Sequence, residues 1–297
     1  MALDKKHQTA ALLLLINTLL FASNVMIAKL AVGKIPPFTL AFFRWFTAFL
    51  LFVPFKGKAF FSNWAGIKKE WKQFLLLGTL GMLICGGLPF KAAHLTSANN
   101  LALVYTFSAV VIIVFERIFY KVAIRSLQII GISLGTLGVA YILFQGNYLN
   151  VIHINFNYGD LLVLVAAIVW AIYSLRLKYV PSVFSRDEKF LGNMLGGAIM
   201  LFPFYIMELD VNYTFDLNTL WFFLALGLFP SLLAFLLYQK IQDMTSSSFA
   251  GVVFYLVPLV NALNANILLG ETLKSYHIIG GAIALVGVYL ANKKTAK

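Results

Sequence analysis

Four residues of the first apolar segment, Asn17, Phe21, Asn24 and Ala28, fall on one stripe about 60° wide if that segment is a helix. Lipid offers an amide no partner, so such a stripe must face protein, water or a bound solute. A second stripe, Ala166, Trp170, Tyr173 and Leu177, follows at an offset of 149 residues. Each stripe sets an aromatic ring and a hydrogen-bonding group one turn apart. Rings suit apolar or cationic parts of a small molecule, and amides and hydroxyls fix its orientation. The same residues also suit helix packing, through interhelical hydrogen bonds for the asparagines and interface anchoring for the rings.

Arg44 is the costliest residue in the chain, a charge inside an apolar segment that insertion scales penalise by about 2.5–3.5 kcal/mol at midplane. Asn193 stands at its repeat position. Two readings of Arg44 remain open: bidentate contact with a carboxylate or phosphate, or outward snorkelling and pairing with Glu271. Further intramembrane polar groups are Asn99 and Asn100, then Tyr255, Asn261 and Asn264, the last two about 60° apart on one face. Pro258 lies between Tyr255 and Asn261 and frees a carbonyl near Phe254, which places a kink and a hinge there. Tyr238 and Gln239 close the eighth apolar segment, as a gate or as interface anchors. Glu116 supplies an acidic group at the end of the fourth. Glycines at 131, 135, 192, 196 and 197 have small-residue spacing that lets helices approach closely.

Catalytic and nucleotide motifs are absent: no His-Glu-x-x-His, no Gly-x-Ser-x-Gly, no Gly-x-x-x-x-Gly-Lys, and no paired carboxylates within apolar segments. One cysteine, Cys85, builds neither a disulfide framework nor a metal cluster. No enzyme activity, cofactor or metal is expected.

These residues need long apolar elements to hold them. Hydrophobic residues make up 61% of the 297 and charged ones 11%, the composition of an all-α integral membrane protein. Apolar windows fall at about 9–31, 37–55, 73–92, 96–117, 124–144, 159–180, 188–207, 219–239, 247–269 and 273–292. The sequence thus predicts ten transmembrane helices, five in each of two halves, 1–148 and 149–297. The halves repeat without a gap: Ala22 falls on Ala171, Lys29 on Lys178, Gly78 on Gly227, and Gly138 on Gly287. An odd number of spans per half makes the two copies inverted.

The net charge of +12 orients the chain and does not recruit nucleic acid. With the N-terminus in the cytoplasm, 18 of the 23 basic residues lie in inner segments, four in outer ones, and Arg44 in a span. That bias predicts cytoplasmic termini.

Phe21-Ala-Ser-Asn24, Trp170-Ala-Ile-Tyr173, and the run from Thr245 to Gly281 with Pro258, Gly270-Glu271 and Gly280-Gly281 resemble the EamA-type members of the drug/metabolite transporter superfamily. The resemblance covers essentially the whole chain. It departs in the first half, where Ala109 faces Pro258 and Lys121-Val122 faces Gly270-Glu271. The resemblance implies a secondary transporter of the bacterial inner membrane, working by alternating access on a small-molecule substrate, as a monomer or homodimer. An amino acid or derivative, exported, is the expected cargo. Uptake or exchange of a nucleotide-like or organophosphate metabolite is the alternative, and a channel or non-transporting membrane protein is the rival from another class. The expected pathway is Asn17, Phe21, Asn24, Arg44, Asn99, Asn100, Trp170, Tyr173, Asn193, Tyr255, Asn261 and Asn264, with Pro258, Glu271, Tyr238 and Gln239 as hinge or gate.

Overall fold

The computed structural model describes residues 5–96, 98–149, 157–211, 213, 215–269 and 274–292. Among these, helices account for the regular structure and no strand occurs. The first half contains α1 (Lys5–Ala31), α2 (Pro37–Ser62), α3 (Trp64–Gly78), the wide π-helical segment π1 (Thr79–Ile84), α4 (Cys85–Ala93), α5 (Ala98–Tyr120) and α6 (Ser126–Leu143). The second contains α7 (Tyr158–Tyr179), α8 (Arg186–Ile206), α9 (Leu217–Leu226), π2 (Gly227–Leu233), α10 (Ala234–Met244), α11 (Ser247–Gly251), α12 (Val253–Leu269) and α13 (Ser275–Asn292).

Local chemistry sets the helix starts. Pro37 opens α2, where its missing N–H costs nothing. Asn157 with Asp160 and Ser185 with Glu188 form reciprocal capping boxes at α7 and α8. Asp216 caps α9.

Six helical stretches among the described residues are long and apolar enough to cross a membrane: Gln8–Ala31, Pro37–Ser62, Trp64–Ala93, Tyr158–Tyr179, Arg186–Ile206 and Leu217–Met244. Shorter apolar helices occupy Ser126–Ile142, Ser247–Asn261 and Ser275–Gly287. The outward surface is apolar too, with Leu12, Leu15, Phe55, Ile118, Ile129 and Leu285 exposed, which suits hydrocarbon and not water. The chain is a multi-pass membrane protein.

The repeat is physical as well as textual. A side chain at Gly138 would meet Gly280 and Ala284, and one at Gly287 would meet Gly131 and Gly135. At the offset of 149 these are the same contacts with the halves exchanged. A side chain at Gly78 would likewise run into Gly196 and Gly197, and one at Gly227 into Thr47 and the Arg44 carbonyl. Reciprocity of this kind is the signature of an approximate two-fold axis. It also explains the glycines: α6 on α13 and α3 on α8 pack at backbone distance, where a Cβ has no room.

Two features depart from the sequence expectation. The apolar windows at 73–92 and 219–239 each conceal a wide turn, π1 and π2, at equivalent repeat positions. In the ninth window the helix is interrupted at Val252, bridged by short-range bonds from Val252 N to the Phe249 carbonyl and from Tyr255 N to the Val252 carbonyl. Pro258 lies within α12. The interruption falls between α11 and α12, where the bonding tightens, short of the proline.

Candidate functional site

The repeat-equivalent stripes of α1 and α7 touch through one ring each. Phe21 packs edge to face on Trp170, centroids 5.9 Å apart and planes at 90°. Tyr105 of α5 stacks over Phe254 of α12 at 6.2 Å. In each pair a residue touches its own counterpart at offset 149, which places both pairs on the two-fold axis. Phe235 of α10 closes the group, packing on Phe21, Trp45 and Trp170.

Between these rings lies a cavity of about 60 Å³, lined chiefly by Phe21, Trp170, Phe235, Phe254 and Tyr105, with Asn24 and Arg44 as polar contributors. A pocket for a metabolite holds roughly 300 Å³ or more, so this cavity is smaller than such a pocket.

Arg44 is 3% exposed, and its guanidinium is held by neutral acceptors. Nε donates to Ser231 Oγ, Nη1 to Asn24 Oδ1 at 2.9 Å, and Nη2 to the Pro230 carbonyl at 3.3 Å. Ser231 in turn donates to the Leu226 carbonyl at 2.6 Å. One side chain from α2 thus ties α1 to the wide turn π2. The guanidinium also lies 4.9 Å from the Trp45 ring and 5.5 Å from Phe90.

Hydrogen-bonded networks tie the helices together toward both ends. Toward the ends of α5 and α7, Ser174 and Tyr238 share a hydrogen bond of 2.8 Å, and Gln242 Nε2 donates to Ser174 Oγ and to Ser247 Oγ. Beyond them Glu116, 2% exposed, accepts from Tyr179 at 2.6 Å and from Ser248, joining α5, α7 and α11. Tyr120 stacks on Tyr179 at 3.9 Å. At the opposite end Lys29 Nζ donates to the carbonyls of Ala93 and Thr96, and Thr96 donates to Asp160.

Of the residues expected to form a pathway, the structure brings Phe21, Asn24, Arg44 and Trp170 to the cavity wall. Asn17, Tyr173, Asn193 and Asn261 do not line it. Asn17 and Asn193 are fully buried with no hydrogen-bond partner among the described residues, as is the Tyr173 hydroxyl; the Tyr173 ring lies against Gly81. Tyr255 turns away, sharing a hydrogen bond with Thr136 and covering Gly135, because its position on α12 faces α6. Tyr238 and Gln239 do not close their helix: it runs on to Met244, which draws Tyr238 inward onto Phe21 and Trp170. Gln239 is buried and its amide unpartnered among the described residues. Glu271 lies outside the described residues, and so do the side chains of Asn99, Asn100 and Asn264.

Sequence reasoning missed Tyr105, Phe235, Phe254 and Ser231. The offset could have found Tyr105 and Phe254, since an aromatic ring stands at both equivalent positions. Phe235 falls opposite Gly86, where size and not type is complementary, and nothing in the sequence distinguished it.

Comparison with known proteins agrees with this architecture. The EamA-like transporter family matches the chain twice, over residues 8–144 and 157–293, displaced by 149 at both ends. An uncharacterized transporter of Archaeoglobus fulgidus is 28% identical over 95% of this chain and 97% of its own. The uncharacterized transporter YyaM of Bacillus subtilis is 23% identical over 97% and 94%. A protein of Streptantibioticus cattleyicolor named as a probable terminal-alkyne amino-acid exporter is 25% identical over 67% of this chain and 65% of its own. A protein of known crystal structure, 19% identical, superposes with a TM-score of 0.76 over 96% of both chains, and so shares the fold. With both halves matched over nearly their whole length, the chain belongs to the EamA-like transporter family.

Proposed function

We propose that the protein is a secondary active transporter of ten spans, arranged as inverted halves at 1–148 and 149–297, that moves a small polar metabolite by alternating access. The observation that carries this reading is the position of the cavity on the two-fold axis, between Phe21 with Trp170 and Tyr105 with Phe254. Halves related by such an axis can exchange conformations, so a site on the axis faces either side in turn. Two covers, Glu116 with Tyr179 and Ser248, and Lys29 with the Ala93 and Thr96 carbonyls, stand at opposite ends as gates.

An amino acid or derivative, exported across a bacterial inner membrane with both termini cytoplasmic, is the cargo and setting this reading favours. The positive-inside bias supports the orientation, and the amino-acid exporter among the relatives supports the cargo. Uptake or exchange of an organophosphate is the second reading, favoured by Arg44. It loses one of its bases, because Lys29 is occupied with backbone carbonyls. A monomer or a homodimer suits either.

The test is counterflow in proteoliposomes with labelled amino acids against nucleotides. Saturable, trans-stimulated flux that Asn24→Ala and Trp170→Ala abolish is expected. Flux linear in concentration would mean a channel, and flux untouched by both substitutions would discard this cavity as the site.

A further inference from the structure

We infer that the cavity recognises its substrate by a carboxylate placed on Arg44, takes an apolar body among the rings, and disfavours a free ammonium through the charge of the same Arg44. This rests on the transporter reading above and narrows it to organic monocarboxylates, including amino-acid derivatives whose amine is absent or masked.

The guanidinium carries five N–H donors. Three are engaged, one on each nitrogen, by Ser231, Asn24 and Pro230. On each terminal nitrogen one donor has no acceptor among the described residues, and the group lines the cavity. All three acceptors are neutral, and no carboxylate among the described residues pairs with Arg44. A full positive charge therefore sits at the wall of a low-dielectric space with two donors to spare. A carboxylate satisfies donors and charge together, in the pairing guanidinium geometry favours.

The rest of the wall decides the other end of the ligand. Among the described residues, no acidic one lines the cavity. Asn24 Oδ1 already accepts from Arg44, and the Tyr105 hydroxyl already donates to the Cys85 carbonyl at 3.2 Å. The Asn24 and Tyr105 oxygens can still accept, but an ammonium drawn to them would lie close to the like charge of Arg44, whereas an apolar group meets Phe21, Trp170, Phe235 and Phe254 directly.

The experiment uses the purified full chain in detergent and one matched probe set: 3-phenylpropionate, its amide, phenethylamine, phenylalanine and phenyl phosphate. Binding is read by thermal shift and by tryptophan fluorescence, and each probe is also run as competitor in counterflow. The expected result is that 3-phenylpropionate binds at least as tightly as phenylalanine, at least tenfold more tightly than the amide, and competes for flux; the amine does neither. Phenyl phosphate binding more tightly than the carboxylate would overturn the carboxylate assignment in favour of organophosphates. Equal binding of acid and amide, or binding of the amine, would overturn the role of Arg44.

Because Arg44 also ties α1 to π2, the wild-type series carries the test without a variant. Arg44→Lys, if it folds, is expected to lose the preference for acid over amide. Saturable flux of another solute with no response to 3-phenylpropionate would sink this inference and leave the transporter reading standing. Absence of saturable flux for every solute would remove both.

Discussion

Phe21 and Trp170 occupy the same place in the two halves of the chain and touch each other, edge to face, at 5.9 Å. A residue can contact its own repeat mate only where the two-fold axis passes, so this pair locates the axis, and both halves supply wall to the cavity beside it, the first half the larger share. The edge-to-face geometry sets the positive rim of one ring on the negative face of the other. A double-mutant cycle of Phe21→Leu and Trp170→Leu is expected to give a coupling of about 1 kcal/mol in unfolding free energy. Additive losses would mean the rings pack without specific interaction.

Ser231 is the hinge pin of the Arg44 network, accepting from the guanidinium and donating to Leu226. Ser231→Ala leaves a buried charged donor without its partner, which costs about 1.5–3 kcal/mol. Asn24→Ala removes another bond to the same group, so the two losses are expected to be non-additive. Thermal unfolding of both single variants and the double checks this.

Glu116 gathers Tyr179 and Ser248 at the basic end of the molecule. Glu116→Ala should release both and shift the protein toward a form open at that end. A cysteine at Tyr120, introduced after Cys85→Ala removes the native thiol, would report it. Labelling by a polar thiol reagent is expected to rise severalfold in Glu116→Ala. Glu116→Gln, which keeps an acceptor, should lie between. Unchanged labelling in all three would assign Glu116 to static packing.

Gly138 and Gly287 make reciprocal close contacts with the opposite half. Gly138→Ala and Gly287→Ala each push a methyl into backbone and are expected to destabilise by about 1–3 kcal/mol, to a similar extent. Melting temperatures of the two variants, and their yield from the membrane, test the equivalence. A large effect of one and none of the other would show that the two-fold relation fails at this interface.

The Asp216 carboxylate, at the start of α9, is held below the ordinary value chiefly by the Thr219 backbone N–H, with the Thr219 hydroxyl adding to it. A depressed carboxyl pKa contributes stability that is present above the unfolded value and lost as pH falls through the folded one. The cap should therefore weaken only in acid, below about pH 4. Asp216→Asn keeps a capping oxygen and removes the titration. Its melting temperature is expected to vary less over that acid range than that of the native chain, and an identical pH profile would exclude the cap.

The membrane class and the repeat were legible in the sequence because composition and periodicity are properties of the chain itself. So was the list of polar groups in apolar segments, which lipid leaves without partners wherever the fold puts them. The offset even held the axis in outline, as matched rings at 21 and 170 and at 105 and 254. Which of those residues share a space was decided only by the tertiary structure. Asn24 and Arg44 meet because α1 and α2 both pack on π2 and the long Arg44 side chain spans the space between them; Tyr255 leaves because its face of α12 meets α6; Asn17 and Asn193 are buried elsewhere. The wide turns π1 and π2 were hidden for the same reason. A helix widens where its neighbours pack into it and supply bonds, as Arg44 does at Pro230 and Ser231, and those partners come from parts of the chain that periodicity cannot bring together.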